Sequence, residues 1–495
     1  MSKFVAAALS LVAGLILPFS FAPYNIWYIA IISPAVFVAI VKLQPLKESC
    51  LIGWLYGLGF FGFGVSWIHI SLYQFGVPNY FFSIGLTGIF VALMAIYLMF
   101  YSWVLKLFLI RGVPLVLIVP ALWLLMEYLR GSMFTGFPWL ILGYSQIDSI
   151  LGGYIPLVGA LGCSWVVLTL SALLVTYFCA VEKPIFRTTI FISILLSSGW
   201  SLSKFEQTYS DGKLLEVALV QGAVPQNIKW HKNVRAPSIL HYRELTEDYW
   251  DSDLIIWPET AIPAFKNEVT DTISQLTSKA IEEGTTLMFG LPTVGDEGIH
   301  YNSLLAVGVN PSVYHKRHLV PFGEYFPLGN YVRGLLSRLS IPMSDFTPGS
   351  LKQPGFYLGD KLVGLSICYE AAFSALILEP TPAARLLINV SNDAWFGRSI
   401  AQDQHLQVAQ ARAIESGRYL LRATNDGITA VIDYRGKIVD RLPQYVPGTL
   451  RSTVELRQGS TVFVKFGIFP LLLVIFTMFF LTGCIRIFSE RNTGL

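Results

Sequence analysis

Charge is scarce in this sequence. Only 14% of its 495 residues are Asp, Glu, Lys or Arg, while 54% are hydrophobic. An average soluble domain carries ~25% charged residues. So little charge excludes a freely soluble chain, and it excludes disorder, which needs the opposite balance. Cysteine is sparse too, with five residues, which rules out a disulfide scaffold. Neither sign of charge dominates: Lys and Arg number 35, Asp and Glu 32. A net charge of +3 offers no electrostatic footprint for nucleic acid. The chain contains no internal repeat and no low-complexity linker.

The charge that is present is concentrated. Residues 1–204 hold 13 of the 67 charged side chains, residues 465–495 hold four, and the other 50 lie between. A helix needs ~20 apolar residues to cross ~30 Å of hydrocarbon. Spans are read at 4–21, 26–41, 50–72, 80–105, 113–131, 152–181, 185–201 and 466–485, eight in all. Between 80 and 112, one long tilted span and two shorter ones are hard to separate. Lys3, Lys42, Lys47, Lys106, Arg111, Lys183, Arg187, Arg486 and Arg491 fall on one side of this arrangement. The short connections of the other side offer only Arg130 and Lys204. The Lys/Arg-rich side is cytoplasmic. Both termini are then inside, and the 205–464 block lies outside the cytoplasmic membrane. The alternative for residues 1–21 is a cleavable signal peptide, but "LPFSFAPY" has no good A-x-A site. Glu127 and Arg130, near the outer end of a span, have the i,i+3 spacing of a structural ion pair. The expected domains are a seven-helix membrane domain at 1–204, an extracytoplasmic catalytic domain at 205–460, and a final span with a cytoplasmic tail at 461–495.

The outer block alternates apolar strand patterns with helical ones. Strands are read at 214–222, 253–260, 285–292, 361–370 and 384–393, a hairpin at 301–308 and 312–320, and helices at 232–250, 268–283 and 399–417. Two or three further strands follow up to 455. Such a mixture predicts a layered α/β sandwich. Open α/β sheets place their sites where strands end, and three strand ends carry candidates. Glu259 follows "LIIWP" in a partly apolar setting suited to a general base. Lys316 and Glu324 lie in "YHKRHLVPFGEYFP", where a Lys held near a reacting carbonyl can stabilise negative charge. His315 and His318 there have no metal-ligand context. Cys368 sits in "SICYE" at a strand-to-helix turn, near a helix N-terminus that favours thiolate. Taken singly, each has an ordinary reading: a loop salt bridge, a solvated basic turn, a buried inert thiol.

Jointly, Glu, Lys and Cys on successive strand ends resemble the nitrilase, or carbon–nitrogen hydrolase, superfamily over roughly 214–455. That resemblance implies a four-layer αββα sandwich, with Glu259 as general base, Lys316 as oxyanion stabiliser and Cys368 as nucleophile. The membrane half narrows it. The stretches "LPFSFAPYNIW" (17–27), "ALWLLMEYLRG" (121–131), "TGFPWLILGYSQ" (135–146), "VQGAVPQNIKW" (220–230), "WPETAIP" (257–263), "LVPFGEYFP" (319–327), "SICYE" (366–370) and "SNDAWFG" (391–397) are similar to the bacterial apolipoprotein N-acyltransferase family over almost the whole chain. By this resemblance Glu324, Tyr369 and Glu370 support the triad, and Trp230 and Trp395 line a lipid-access region. For these, a salt bridge or a core aromatic stays open as the plain alternative.

The resemblance also implies the reaction. An acyl chain passes from a phospholipid, phosphatidylethanolamine in particular, through a Cys368 thioester to the α-amine of a diacylglyceryl-cysteine on an apolipoprotein. It implies a monomer in the bacterial inner membrane, with its catalytic domain on the periplasmic side, and no metal or cofactor. The rival within the fold is a membrane-anchored amidase of the nitrilase type, whose acyl-enzyme is resolved by water.

Overall fold

A computed structural model describes residues 1–76, 79–179, 185–295, 298–325 and 346–480. Contacts divide the chain into two compact units. The first is Met1–His69, Tyr80–Glu206 and Lys465–Leu495; the second is Ile70–Asn79 and Gln207–Val464.

The first unit is helical because its apolar runs leave backbone polar groups no partner except their own helix. Its helices are α1 (Lys3–Ile16), α2 (Ile29–Leu43), α3 (Leu46–Gly64), α5 (Tyr80–Ile110), α6 (Leu115–Ser132), α7 (Ile155–Cys179), α8 (Ile185–Leu202) and α12 (Phe469–Phe480). By length and composition, five helical stretches suffice to cross a membrane among the described residues. A sixth is added if α3 and the helix after it, α4 (Ile68–Phe75), count as one span bent by 57°. Helices α2 and α12 are shorter apolar helices. Five or six of the eight expected spans are thus long and apolar enough among the described residues, and the span read as 50–72 breaks after Gly64. Residues 80–110 form one helix of 31 residues, which resolves the ambiguous boundary. The end of the 466–485 span, with Cys484, lies outside the described residues. Close packing rests on missing side chains. A Cβ on Gly14 would stand 2.1 Å from the Tyr56 carbonyl oxygen, and one on Gly57 would stand 2.7 Å from Ala95 Cα. Small residues let membrane helices approach this closely. Glu127 Oε1 accepts from Trp123 Nε1 (3.0 Å) and the Leu142 N–H (2.9 Å), and Arg130 donates to the Phe137 carbonyl (3.0 Å).

The second unit holds two six-stranded sheets. In spatial order the first runs β12-β1-β2-β3-β4-β5 and the second β11-β10-β9-β8-β7-β6. The strands of the first are β1 (Thr208–Gln221), β2 (Leu254–Ile256), β3 (Thr286–Val294), β4 (His300–Gly308), β5 (Ser312–His315) and β12 (Gly448–Gly459). Those of the second are β6 (Phe356–Leu358), β7 (Lys361–Ile367), β8 (Leu386–Ser391), β9 (Leu420–Thr424), β10 (Ala430–Ile432) and β11 (Ile438–Arg441). Strands β1–β2–β3 and β7–β8–β9 pair in parallel, and the predicted β4–β5 hairpin is antiparallel. Successive strand residues point to opposite faces, and here both faces are apolar. Val217, Leu219, Leu254 and Ile256 meet Ile367, Leu386, Ile388 and Val390 in a core between the sheets. Ala218, Val220, Ile255 and Trp257 point outward against helices α9 (Lys232–Thr246) and α10 (Thr270–Glu282). On the other side, Leu387, Leu420 and Ile432 pack under α11 (Ala401–Ser416). The predicted αββα sandwich is therefore present. Trp257 anchors the end of β2: it is fully buried, stacks on Tyr242 at 5.2 Å and donates to Thr246 Oγ1 (2.9 Å).

Candidate active site

Three strand ends converge, as anticipated. Glu259 follows β2, Lys316 follows β5 and Cys368 follows β7. Lys316 Nζ lies 3.2 Å from Glu259 Oε1 and 2.9 Å from Glu324 Oε1. Asn302 on β4 bridges the two carboxylates, its Nδ2 donating to Glu259 (2.8 Å) and Glu324 (2.7 Å). The backbone N–H of Asn392 donates to Glu259 Oε2 (2.9 Å). The setting of Glu259 is thus buried but polar, and the partly apolar surroundings expected for it are corrected. Lys316 is 1% exposed. Burial alone would lower its affinity for a proton, but Glu259 and Glu324 outweigh burial and hold the ammonium well above its ordinary value. Glu324 is held in turn by the Val320 N–H (2.8 Å).

Cys368 opens a single 3-10 turn, Cys368–Ala372, and the helix after it spans only Ser374–Leu378. Its φ is +53°, a left-handed conformation that costs a non-glycine residue ~1–2 kcal/mol. The turn is imposed by its neighbours. Glu370, fully buried, accepts from the Ile367 N–H (2.7 Å), the Arg317 N–H (2.6 Å), the His318 N–H (3.1 Å) and the Tyr314 hydroxyl (3.0 Å). On the other side, His405 Nε2 donates to the Cys368 carbonyl (3.2 Å). His405 Nδ1 stands 3.0 Å from Asp393 Oδ1, and Arg422 Nη2 donates to Asp393 Oδ2 (2.8 Å). Burial pushes the Cys368 thiol well up, the Glu259 carboxylate adds to this, and Lys316 opposes both. The thiolate-favouring helix terminus is therefore a correction: the thiol is protonated at rest and needs a base.

Strain recurs around the site. Ala223, Thr260, Phe322 and Cys368 all have positive φ, at +50°, +50°, +63° and +53°. Each lies in a different segment that carries a site residue, and non-glycine strain of this kind collects where surrounding structure over-determines the backbone.

The remaining expected residues are spread more widely. Tyr369 packs its ring on Phe373 at 5.1 Å, beside His318. Trp395 is 36% exposed, edge-on to Phe75 of α4 at 4.6 Å, and the Ser71 hydroxyl donates to its carbonyl. Trp230 is 47% exposed and follows Lys229, which is buried. The aromatic stretch 322–327 is described only to Tyr325. Sequence reasoning missed Asn302, Asn392, Asp393, His405 and Arg422. Asn302 had a visible signal, a lone amide inside the apolar strand "YNSLLAVG"; Asn392 and Asp393 lay inside a matched stretch without a role. Among the described residues, no group of three or more His, Cys, Asp or Glu is arranged to hold a metal.

Comparison with known proteins shows the family. Residues 216–461 match the carbon-nitrogen hydrolase family, and residues 13–173 match the apolipoprotein N-acyltransferase N-terminal domain. A solved CN-hydrolase superfamily protein of Xanthomonas campestris, XC1258, has a TM-score of 0.38 at 21% identity, covering 53% of this chain and 97% of its own. An apolipoprotein N-acyltransferase of Vibrio vulnificus is 38% identical over 471 residues, 92% of each chain. One of Methylococcus capsulatus is 37% identical over 476 residues, covering 94% of this chain and 93% of its own. With both halves matched and near-complete coverage by such relatives, the chain belongs to the apolipoprotein N-acyltransferase family.

Proposed function

We propose that this protein transfers an acyl chain from a phospholipid to the N-terminal α-amine of a diacylglyceryl-modified apolipoprotein. One observation carries the reading. A chain alignable over more than nine-tenths of its length with N-acyltransferases also holds a buried Lys between two carboxylates beside a strained Cys.

In the first half-reaction, Glu259 takes the Cys368 proton and the thiolate attacks the donor ester carbonyl. Lys316, kept cationic by Glu259 and Glu324, stabilises the oxyanion; a single such donor is worth ~10²–10³ in rate. Collapse gives a Cys368 thioester, and Glu259 protonates the leaving alkoxide. In the second half, the acceptor amine attacks the thioester and Cys368 departs. Glu324 orients Lys316, while Tyr369 and Glu370 support the Cys368 turn. Trp230 and Trp395, both partly exposed, line the lipid-access region.

The donor is phosphatidylethanolamine and the enzyme a monomer in the bacterial inner membrane. Eight spans fit the chain when α2, the bent α3–α4 pair and α12 each cross. The domains follow as 1–204, 205–460 and 461–495, with the catalytic block on the periplasmic side. The support is the one-sided Lys/Arg distribution of the connections.

Intact-mass measurement tests this. Incubation with phosphatidylethanolamine alone is expected to add one acyl chain to Cys368, removable by hydroxylamine and absent in Cys368→Ser and Glu259→Gln. A diacylated lipopeptide with a free N-terminus then yields an N-acylated product. Release of free fatty acid alone would establish the hydrolase instead.

A further inference from the structure

The proton balance of this reaction leaves one proton unaccounted for. In the first half, the proton that leaves Cys368 is returned to the departing alkoxide, so one base suffices. In the second half, the acceptor arrives mostly as an ammonium, since α-amino groups titrate at about 7.7–8.0. It must shed two protons to become an amide nitrogen. One restores the Cys368 thiol through Glu259. The other has no carrier in the Glu–Lys–Cys set, because Lys316 is held protonated between two carboxylates.

Beside Glu259 lies a second lysine that the triad does not use. Lys229 ends a short helical turn, Gln226–Lys229, and is 1% exposed. Its Nζ is buried and has no hydrogen-bond partner among the described residues. Two acceptor atoms nearby are in the same condition, Asn392 Oδ1 and Asp426 Oδ1. The turn is pinned in this place. Gln226 Oε1 accepts from Asn392 Nδ2 (2.7 Å), and Asn392 is the residue whose N–H holds Glu259. Asn425 clamps the segment before it: Ala223 N–H donates to its carbonyl (2.6 Å), and Asn425 Nδ2 donates to the Val224 carbonyl (2.8 Å). Segments after β1, β2, β8 and β9 therefore meet around a Lys229 amino group that has no hydrogen-bond partner among the described residues. The charged groups that face it are Glu259 from the segment after β2 and Asp426 from the segment after β9, with Asp393 behind Asp426.

We propose that Lys229 is a further catalytic residue, the base that takes the surplus proton from the acceptor's α-ammonium. The inference rests on the acyl-transfer reading and deepens its second half. The transfer is balanced: the N–H bond of the ammonium breaks, the pair stays on the nitrogen, and Lys229 becomes an ammonium. The free amine then forms the C–N bond as the C–S bond breaks. Burial pushes Lys229 down to about 8, opposed by Glu259 and Asp426, so it matches the group it deprotonates. Asp426, raised by burial to about 7, stands next in line to pass the proton outward. The reactive complex then holds one proton between two amines. Its rate rises with pH through their common value and levels off once the acceptor is itself neutral and needs no base.

The test separates the two half-reactions of the full chain in detergent micelles. Acyl-enzyme is formed from phosphatidylethanolamine, isolated, and mixed with a synthetic diacylglyceryl-cysteine peptide from pH 6 to 10. Wild type is expected to show an aminolysis profile that rises to a plateau, with its midpoint below that of Lys229→Met. Lys229→Met is expected to form acyl-enzyme within threefold of wild type, which also shows that it folds. Its aminolysis at pH 7 falls at least twofold and recovers to the wild-type plateau by pH 10, where the acceptor is already neutral. Lys229→Arg keeps the charge but cannot give up its proton, and it behaves like Lys229→Met. Equal slowing of both halves, a Lys229→Met deficit that persists at pH 10, or full aminolysis at pH 7 in Lys229→Arg would overturn the proposal. If wild type forms no acyl-enzyme, the acyl-transfer reading itself fails, whatever Lys229 does.

Discussion

Glu370 carries no charge partner within salt-bridge distance among the described residues, yet it accepts four hydrogen bonds beneath the Cys368 turn. In Glu370→Ala, three buried backbone donors, from Ile367, Arg317 and His318, lose their acceptor. A buried donor left unsatisfied costs ~1–3 kcal/mol, so the change costs about 3–9 kcal/mol. A domain has only ~5–15 kcal/mol of stability in total. Glu370→Gln is the sharper probe. Its one oxygen can still serve Arg317 and His318, while its NH₂ faces the Ile367 N–H, donor to donor. That leaves one unsatisfied group, about 1–3 kcal/mol. It also lies directly before Cys368, where a displacement of ~1 Å costs roughly 10²-fold in rate. The assays are the time course of acyl-enzyme formation by intact mass and thermal unfolding in micelles. Glu370→Ala is expected to unfold far earlier and form no acyl-enzyme. Glu370→Gln is expected to stay folded and acylate about 10²-fold more slowly. Wild-type acylation in Glu370→Gln, or unchanged unfolding in Glu370→Ala, would refute the claim that this carboxylate builds the turn.

Lys316→Met removes the cation shared by Glu259 and Glu324. Breaking a buried pair from one side costs ~3–5 kcal/mol, so a lower unfolding temperature should accompany loss of acyl-enzyme; unchanged thermal stability would contradict the buried geometry. Asp393 supplies a pH prediction. Burial would raise its carboxyl, but Arg422 and His405 outweigh burial and hold it well below the usual range. A depressed folded value adds stability above the unfolded value of ~3.9 and loses it as pH falls through the folded value. The gap in unfolding temperature between wild type and Asp393→Asn should be full at pH 7 and close in acid below about pH 4. A gap that does not narrow between pH 4 and pH 2 would show that the Arg422–Asp393 contact is not what stabilises this region.

Much of this was legible in one dimension. Alternation of apolar strands with helices announced the sandwich because both faces of each sheet are buried, so strands such as "LLEVALVQG" read as continuous apolar runs. The strand ends carrying Glu259, Lys316 and Cys368 were visible because a polar residue closing an apolar run stands out. Asn302 offered only a lone amide in an apolar strand, and His405 and Arg422 did not stand out at all. They sit inside regular elements, and only the contact with Glu259, with the Cys368 carbonyl and with Asp393 gives each its meaning. The broken span at 64–68 was also hidden. Hydropathy continues smoothly through "GVSWIHISLY", while the bend of 57° and the grouping of Ile70–Asn79 with the second unit are tertiary facts.

The sequence alone determined the two regimes of charge, the sandwich and the strand ends that carry Glu259, Lys316 and Cys368, because hydrophobic patterning and residue type are local quantities. Tertiary structure decided the electrostatics. It turned the setting of Glu259 from apolar to polar and the Cys368 thiol from favoured to disfavoured as an anion. It also left Lys229 buried without a hydrogen-bond partner among the described residues. These depend on which charges and dipoles meet after burial, and a group's affinity for its proton is set by desolvation and by neighbours far away in the chain. The scarcity of charge along the chain is therefore informative twice. It marks the apolar half, and in the other half it makes the buried cluster of Lys316, Glu259 and Glu324 stand out.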